Sequence, residues 1–470
     1  MGMKLKILHI NDLHSRFENL AKISTIIKNL EDDNTIILDA GDNADFMRIE
    51  TEGTNGEVSS AILNKIGFDA RVFGNNEGFA GKEKGKVISK TSEFPTVTCN
   101  LYHSDGEKLE YLKDAIVINK NGIRVLIIGV TAPYNEFYNL FEVHAKEPID
   151  EIRRVLQNYS KSQYDMVVLL SHLGLREDKE LAEKIGEIDV IIGGHSHSIL
   201  DEPISINETI IHQAGSYGEF LGELSVDYDT RENRITDYSG KLIKSSDYSE
   251  DQEVISIIEE YSLKANEYLS KPLFKIEKIL THSLSEENDI GNLLADALRD
   301  VLGTDIGIIN SGVMNKGVET GSISKKELLE ICPSPLNPTY IEIQGKDLLN
   351  ALEKSLLAEY HNADGKGSGF RGKWLGNIQV SSNVTVKYRE EEQPLSKIEN
   401  ITINGELLNL KRWYTVGTSD YLQRGTGYSE LANCKNERYN PEYLRDTLED
   451  YLKKQEFVSK AFKRRFIKVG

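Results

Sequence analysis

The sequence is poor in cysteine and in long apolar runs. Its 470 residues include only three cysteines, Cys99, Cys332 and Cys434. An odd number of widely spaced cysteines suggests neither a disulfide framework nor a zinc knuckle. No apolar run approaches the ~20 residues that span a bilayer, so no membrane segment is predicted. The chain also enters an apolar strand pattern almost at once, without the features of a secretory signal, which predicts a cytoplasmic protein.

Positive charge is also scarce. The chain has 56 basic and 75 acidic residues and a formal net charge of −19. Such a charge repels a nucleic-acid backbone, so a nucleic-acid polymer is not an expected partner. A small anionic substrate would need local cations, and bound metal ions could supply them. The length and the hydrophobic content of 39% predict a globular protein with two domains.

What the sequence does contain is an apolar β-branched run, Val190–Ile192, that stops at two glycines and is followed by His195 and His197. A buried strand that ends in a glycine turn is how a parallel sheet presents ligands at its carboxyl edge. For this His-x-His alone, a surface loop with two solvated histidines is an equally good interpretation.

Four further predicted strands end in the same way, each breaking into Asp, Asn or His. They are Lys4–Ile10 before Asn11–His14, Thr35–Leu38 before Asp39–Asp42, Ala70–Phe73 before Gly74–Glu77, and Met166–Leu170 before Ser171 and His172. The ends of the five strands provide seven candidate metal ligands: Asp12, His14, Asp42, Asn75, His172, His195 and His197. Imidazole with carboxylate suits Zn, Mn, Fe or Ni. Two divalent ions that share a bridging carboxylate would use the whole set, although any single member could be a core residue.

The pattern along the chain predicts a layered α/β domain followed by a second domain. Amphipathic helices are predicted between the strands of the first part, at Asn19–Leu30, Glu57–Ile66 and Lys179–Ile185. We assign residues 1–246 to the first domain, 247–270 to a connector helix and 271–470 to the second domain. The last long helix is predicted over 440–454, with Pro441 in its first turn.

The order of these motifs resembles that of a known superfamily. D-x-H at 12–14, G-D at 41–42, G-N at 74–75, S-H at 171–172 and G-G-H-S-H at 193–197 resemble the calcineurin-like metallophosphoesterases. With GNLLADAL at 291–298 and Asn310-Ser311-Gly312, nearly the whole chain resembles the bacterial 5′-nucleotidase family. The resemblance implies a four-layer α/β metallophosphoesterase sandwich, a second α+β substrate-binding domain, and an active site between the two.

The resemblance also implies roles for individual residues. Asp12, His14 and His197 would bind one metal ion, Asn75, His172 and His195 the other, and Asp42 would bridge the pair. Mn²⁺ or Zn²⁺ is expected. The implied reaction is hydrolysis of a small phosphorylated metabolite, a nucleotide above all, by metal-bound hydroxide. The implied catalytic positions are Asp42, Asn75 and Asn76, and the implied substrate-binding residues are Asn310, Gly312, Arg424 and Tyr428.

The chain departs from the family pattern at Asn76, where the family has a histidine, and at Phe79, where it has that histidine's aspartate partner. Asparagine cannot donate a proton, and general acid catalysis typically contributes ~10²–10⁴-fold. We therefore expect a preference for diphosphates or activated esters, whose leaving groups are stable as anions.

The second domain departs from the pattern as well. The family's N-G-G-G-I-R reads N-S-G-V-M-N at 310–315, so an arginine that would bind the phosphate is missing, and Arg371 or Arg424 could replace it.

Two alternative functions follow from the departures in both domains. One is a nucleotide-sugar or diphosphate hydrolase, or a cyclic-nucleotide phosphodiesterase; the other is a non-catalytic metal- or ligand-binding protein.

Overall fold

The computed structural model describes residues 2–365, 367 and 369–469, and these form two compact units. The first unit extends to Asn266 and the second begins at Glu267. The division falls within helix α9, Gln252–Leu269. That helix lies inside the range assigned to a connector, but the exact domain limits and the connecting role stay predictions. Of the described helices, none is both long enough and apolar enough to cross a membrane.

The first unit alternates strands and helices. Its strands are β1 (Gly2–Ile10), β2 (Thr35–Asp39), β3 (Ala70–Val72), β4 (Thr96–Val97), β5 (Leu101–His103), β6 (Ala115–Lys120), β7 (Ile123–Thr131), β8 (Val143–Ala145), β9 (Met166–His172), β10 (Val190–Gly193), β11 (Ile204–Ile206), β12 (Thr209–His212), β13 (Phe220–Asp229) and β14 (Arg234–Lys244). Its helices are α1 (Phe17–Leu30), α2 (Ile49–Gly53), α3 (Glu57–Ile66), α4 (Asn75–Phe79), α5 (Gly81–Thr91), α6 (Asn135–Tyr138), α7 (Pro148–Asn158), α8 (Leu175–Lys184) and α9.

Most of these strands form two six-stranded sheets. The first sheet has the order β14-β13-β1-β2-β3-β4, and the second has the order β11-β12-β10-β9-β7-β6. Strands β1 to β4 are parallel, as are β7, β9, β10 and β12. Because the apolar runs of the central strands are covered on both faces, they read as nearly continuous hydrophobic stretches in the sequence.

The two sheets pack face to face, with helices on the outside. Alternate residues of one strand divide between two cores: Ile7 packs in the core shared by both sheets, and Leu8 packs against α1 and α3. On the far side, α7 and α8 cover the second sheet. This helix–sheet–sheet–helix arrangement confirms the predicted four-layer α/β fold.

The second unit is a mixture of mainly antiparallel sheet and helix, with parallel pairs only at β16–β23 and β20–β25 among the described strands, which confirms the predicted α+β domain. Its strands are β15 (Pro272–Ile276), β16 (Ile306–Asn310), β17 (Gly321–Ser324), β18 (Pro338–Gln344), β19 (Ile378–Val380), β20 (Val384–Tyr388), β21 (Ile398–Ile403), β22 (Glu406–Leu407), β23 (Trp413–Ser419), β24 (Lys435–Tyr439) and β25 (Phe466–Lys468). Its helices are α10 (Asp289–Leu302), α11 (Lys325–Ile331), α12 (Gly345–Ser355), α13 (Ala358–His361), α14 (Asp420–Gln423), α15 (Leu444–Leu452) and α16 (Gln455–Ala461).

Within this unit a five-stranded sheet has the order β19-β16-β23-β18-β24, and a four-stranded sheet has the order β22-β21-β20-β25. The prediction for the last long helix was wrong at its start. Helix α15 begins at Leu444 and not near Pro441. The Asp446 carboxylate accepts a hydrogen bond from the Tyr443 backbone N–H at 2.9 Å, and this capping contact fixes the first turn.

Candidate metal centre

The seven predicted ligands follow strands of both sheets. Strands β1, β2 and β3 are neighbours in the first sheet, and β9 and β10 are neighbours in the second. Five of the ligands lie on backbone with positive φ, a region that costs energy for residues other than glycine. These five are Asp12 (49°), His14 (47°), Asp42 (52°), His195 (71°) and His197 (53°). The loops that carry the candidate ligands therefore contain strained backbone.

A first group of ligand atoms comes from Asp12, His14 and His197. Asp12 Oδ1 lies 3.3 Å from His197 Nε2 and 3.9 Å from His14 Nε2. The two imidazole Nε2 atoms are 3.2 Å apart. One carboxylate oxygen and two imidazole nitrogens thus face one another at the distances of a shared metal ion.

A second group surrounds His172. Its Nε2 lies 3.3 Å from Asp42 Oδ1 and 3.9 Å from Asp12 Oδ1. Asp42 Oδ2 is 3.9 Å from His14 Nε2, so the Asp42 carboxylate faces both groups. His195 Nδ1 lies 2.8 Å from Asn75 Oδ1, and the His195 and His172 ring centroids are 5.2 Å apart. All seven predicted ligands are therefore near neighbours.

Two buried atoms at the centre of this cluster have no hydrogen-bond partner among the described residues. They are Asp12 Oδ1 and His172 Nε2. The other oxygen of Asp12 accepts hydrogen bonds from Asn11 Nδ2 at 2.7 Å and from the His195 backbone N–H at 2.8 Å. Unpaired polar atoms in a buried place are costly, and a divalent ion would satisfy them. The donor set of carboxylates, imidazoles and one amide oxygen fits such an ion.

The electrostatics favour positive charge at the same place. Burial alone would lower the pKa of His172, but the Asp42 carboxylate outweighs burial and raises it to about 10. Burial opposes ionisation of Asp42, yet the facing His172 holds the pKa of that carboxyl well below its usual range. Two buried carboxylates thus demand a cation beside them, either a proton on imidazole or a metal ion.

The Glu77 carboxylate joins the loop after β2 to the loop after β3. It accepts hydrogen bonds from the backbone N–H groups of Ala44 at 2.8 Å, Gly74 at 2.9 Å and Asp42 at 3.2 Å. Only glycine fits at position 74, since a Cβ there would lie 2.1 Å from Asp42 Oδ1. Glu77 and Gly74 therefore set the position of Asp42.

Gln213 holds the loop of the two histidines. Its Oε1 accepts from Ser196 Oγ at 2.8 Å and from the Ser198 N–H at 2.9 Å, and its Nε2 donates to the Gly194 carbonyl at 2.9 Å. The residue is completely buried. These three bonds fix both sides of His195 and His197, a role that the sequence did not reveal.

Tyr134 is a second residue that the sequence did not reveal. Its hydroxyl lies 2.8 Å from His195 Nε2, so Nδ1 is the nitrogen left to face Asn75. A hydrogen bond to one ring nitrogen commonly decides which nitrogen binds a metal. Nothing in the sequence around Pro133 signals this contact, because Tyr134 follows β7 and not one of the five strands that carry ligands.

The predicted substrate-binding residues all lie in the second unit, and their role stays a prediction. Asn310 is buried and donates from Nδ2 to the Leu375 carbonyl at 2.7 Å. A Cβ at Gly312 would lie 1.9 Å from the Trp374 carbonyl oxygen. Arg424 is exposed. Tyr428 is fully buried and its hydroxyl donates to the Gly376 carbonyl at 2.8 Å, which is the placement of a core residue.

Family models match most of the chain. The model described as calcineurin-like phosphoesterase matches residues 5–198, and the 5′-nucleotidase C-terminal domain matches residues 275–432. An uncharacterized metallophosphoesterase of Bacillus subtilis, YunD, is 30% identical over 95% of this chain and 99% of its own length. The chain belongs to the 5′-nucleotidase family of metallophosphoesterases. The resemblance stated from the motifs is thereby confirmed.

Other members of the 5′-nucleotidase family extend over nearly the same length. A 5′-nucleotidase of Vibrio cholerae is 23% identical over 96% of this chain and 90% of its own. The crystal structure of a 5′-nucleotidase precursor from Thermus thermophilus has a TM-score of 0.60 at 20% identity and covers both chains completely. The NAD nucleotidase of Haemophilus influenzae has a TM-score of 0.68 at 16% identity, covering 100% of this chain and 98% of its own. These structures support the fold.

Proposed function

We propose that the protein is a dimetal phosphohydrolase that acts on a small phosphorylated metabolite, and that the metabolite is a nucleotide. The observation that carries the proposal is a pair of buried atoms, Asp12 Oδ1 and His172 Nε2, that lie 3.9 Å apart within a cluster of imidazoles and carboxylates and have no hydrogen bond among the described residues. Family membership makes the chain a phosphoesterase-type hydrolase, and this pair supports the proposal that ions are held here.

The seven candidate ligands would bind two ions. Asp12, His14 and His197 would hold one, Asn75, His172 and His195 the other, and Asp42 would face both. Bound there, two divalent ions such as Mn²⁺ or Zn²⁺ supply charge neutralisation of the phosphoryl oxygens and activation of a water molecule. Hydrolysis then forms a bond from the water oxygen to phosphorus and breaks the bond to the leaving group.

The surroundings of Asn76 support a preference among substrates. Its amide cannot protonate a leaving group, and its side chain is directed to His14. Phe79 packs against Tyr134, Phe137 and Tyr138, with ring centroids 5.4–5.9 Å away. An acidic partner for position 76 is thus replaced by aromatic packing. Substrates whose leaving group is already a stable anion, such as nucleoside diphosphates, nucleotide sugars and aryl phosphates, should be hydrolysed best.

The test is steady-state hydrolysis with Mn²⁺ or Zn²⁺ added to the metal-depleted protein. The substrates are p-nitrophenyl phosphate, its bis-ester, a cyclic nucleotide, a nucleotide sugar, and a nucleoside mono- and diphosphate. We expect turnover of p-nitrophenyl phosphate, a higher kcat/KM for the diphosphate than for the monophosphate, and loss of both activities in D42N. A clear preference for the monophosphate would defeat the substrate assignment. Binding of metal without hydrolysis of any ester would instead support a ligand-binding protein.

A further inference from the structure

A cation–aromatic pair stands beside the first group of metal ligands. The guanidinium carbon of Arg16 lies 5.6 Å from the centroid of the Tyr217 ring. The same ring lies 5.6 Å from the His14 ring and 5.8 Å from the His197 ring, measured between centroids. The Tyr217 ring is thus a near neighbour both of the arginine and of two candidate ligands.

The backbone holds Tyr217 firmly in this place. Its N–H donates to the Asp12 carbonyl at 2.7 Å, and its carbonyl accepts from Asn19 Nδ2 at 3.0 Å. Its φ of +58° lies in a backbone region that is unfavourable for a bulky residue. The side chain nevertheless remains 39% exposed. A strained residue whose ring stays open to solvent next to ligand histidines is a feature of binding sites rather than of cores.

What distinguishes Arg16 is its place near two candidate metal ligands, since other described arginines, such as Arg412 and Arg438, also contact an aromatic ring without an ion pair. Among the described residues its guanidinium makes no ion pair and no hydrogen bond, whereas Arg124 and Arg154 bind carboxylates at 2.6–2.9 Å. The chain as a whole carries a net charge of −19. Because the chain has more carboxylates than basic groups, an ion pair would be the expected state of an arginine. A partly buried guanidinium that has no such partner among the described residues and lies near the candidate metal ligands is available to bind a ligand.

We propose that Arg16 and Tyr217 form a second anion subsite, which binds the phosphoryl group of a diphosphate substrate that is not attacked. The inference rests on the proposed function and names its substrate class more narrowly. A guanidinium offers two parallel N–H donors to a phosphoryl group, and the Tyr217 ring holds it by a cation–π contact. The subsite would stabilise the negative charge that develops on the leaving phosphate. That charge is not neutralised by a proton from Asn76, because an amide cannot donate one.

The direct test is binding of two non-hydrolysable probes to the protein in Mn²⁺, measured by calorimetry. Methylenediphosphonate carries both phosphoryl groups and methylphosphonate carries one. In R16M, we expect the affinity for methylenediphosphonate to fall about 10- to 100-fold more than the affinity for methylphosphonate, the range for losing a hydrogen bond to a charged group. R234M, in which an exposed arginine of β14 is changed, is the matched control and should bind both probes like the wild type.

The Tyr217 ring is tested by Y217F and Y217L. The first variant keeps the cation–π contact and should keep the preference for methylenediphosphonate, whereas the second should lose it as R16M does. Equal losses for both probes in R16M, or no loss for either, would overturn the subsite. These outcomes can be distinguished from failure of the proposed function. If the protein is not a phosphohydrolase, the wild type hydrolyses no ester, whereas the binding of the two probes still shows whether Arg16 contacts the second phosphoryl group.

Discussion

The Asn76 side-chain nitrogen lies 2.9 Å from His14 Nδ1, and the backbone N–H of the same residue donates to Asp42 Oδ1 at 2.8 Å. One residue therefore supports two candidate ligands. A group that bonds the second nitrogen of a ligating histidine fixes the orientation of its ring. Asn76 thus stands where the family pattern has a proton donor, but its contacts are those of a residue that positions ligands.

Restoring histidine at position 76 should change the substrate preference. We expect N76H to raise kcat/KM for a nucleoside monophosphate at least about 10-fold more than for p-nitrophenyl phosphate, because only the alkoxide leaving group needs a proton. Steady-state kinetics with both substrates measure the ratio, and N76A serves as the variant without a donor. An equal change for the two substrates in N76H would show that protonation is not what position 76 controls.

Removing the contacts of Gln213 should weaken metal binding. We expect Q213A to lower the affinity for Mn²⁺ at least about 10-fold, the effect usual for residues that orient metal ligands. It should also lower the free energy of unfolding by about 1–3 kcal/mol, since buried polar groups lose their partners. Calorimetric titration and urea unfolding without metal measure the two effects. Q252A, at an exposed position at the start of α9, should do neither.

Much of the centre was predictable because every candidate ligand lies at the end of an apolar strand or within four residues of it. The runs before Asp12, Asp42 and Asn75 have the composition of buried parallel strands, and their carboxyl ends must meet at one edge. In the second domain a long pattern was equally informative: the apolar spacing of DIGNLLADALRDVL predicts a helix over 289–302, and helix α10, Asp289–Leu302, has these bounds.

The supporting residues were not predictable, because their contacts depend on the order in which β12, β10, β9 and β7 are arranged within the second sheet. Gln213 follows β12, Tyr134 follows β7, and neither stands in a pattern that marks a ligand. Because His361 stands in no motif with a partner, its sequence context predicts a surface position. That prediction is wrong, since the side chain is buried, at 8% exposure, in the short helix α13, whose His361 carbonyl accepts from the Gly376 N–H. The localisation of the protein stays a prediction.

The buried pair His9 and His212 should make stability depend on pH. His9 Nε2 lies 2.9 Å from His212 Nδ1. Burial, followed by the neighbouring His212, lowers the pKa of His9, and burial lowers the pKa of His212 to about 4. Both folded-state values lie below the unfolded value near 6.5, so the unfolded chain takes up protons first as the pH falls. The stability that the neutral pair contributes is complete above about pH 6.5 and declines towards pH 4.

The variant H212N isolates this contribution, because Asp39 and Asp178 have raised pKa values and act in the opposite direction. We expect the loss of unfolding free energy caused by H212N at pH 7.5 to shrink by about 2 kcal/mol at pH 5, from 1.36 kcal/mol per pKa unit. Urea unfolding of both proteins at the two pH values measures the difference. A loss that is equal at both values, or larger at pH 5, would contradict the assignment.

Crystals of the protein grown with Mn²⁺ and examined by anomalous scattering test the central claim most directly. We predict two peaks per chain: one among Asp12, His14 and His197, the other among Asn75, His172 and His195, with the Asp42 carboxylate between them. A single peak, or peaks away from these side chains, would contradict the claim that the five strand ends build a two-metal centre.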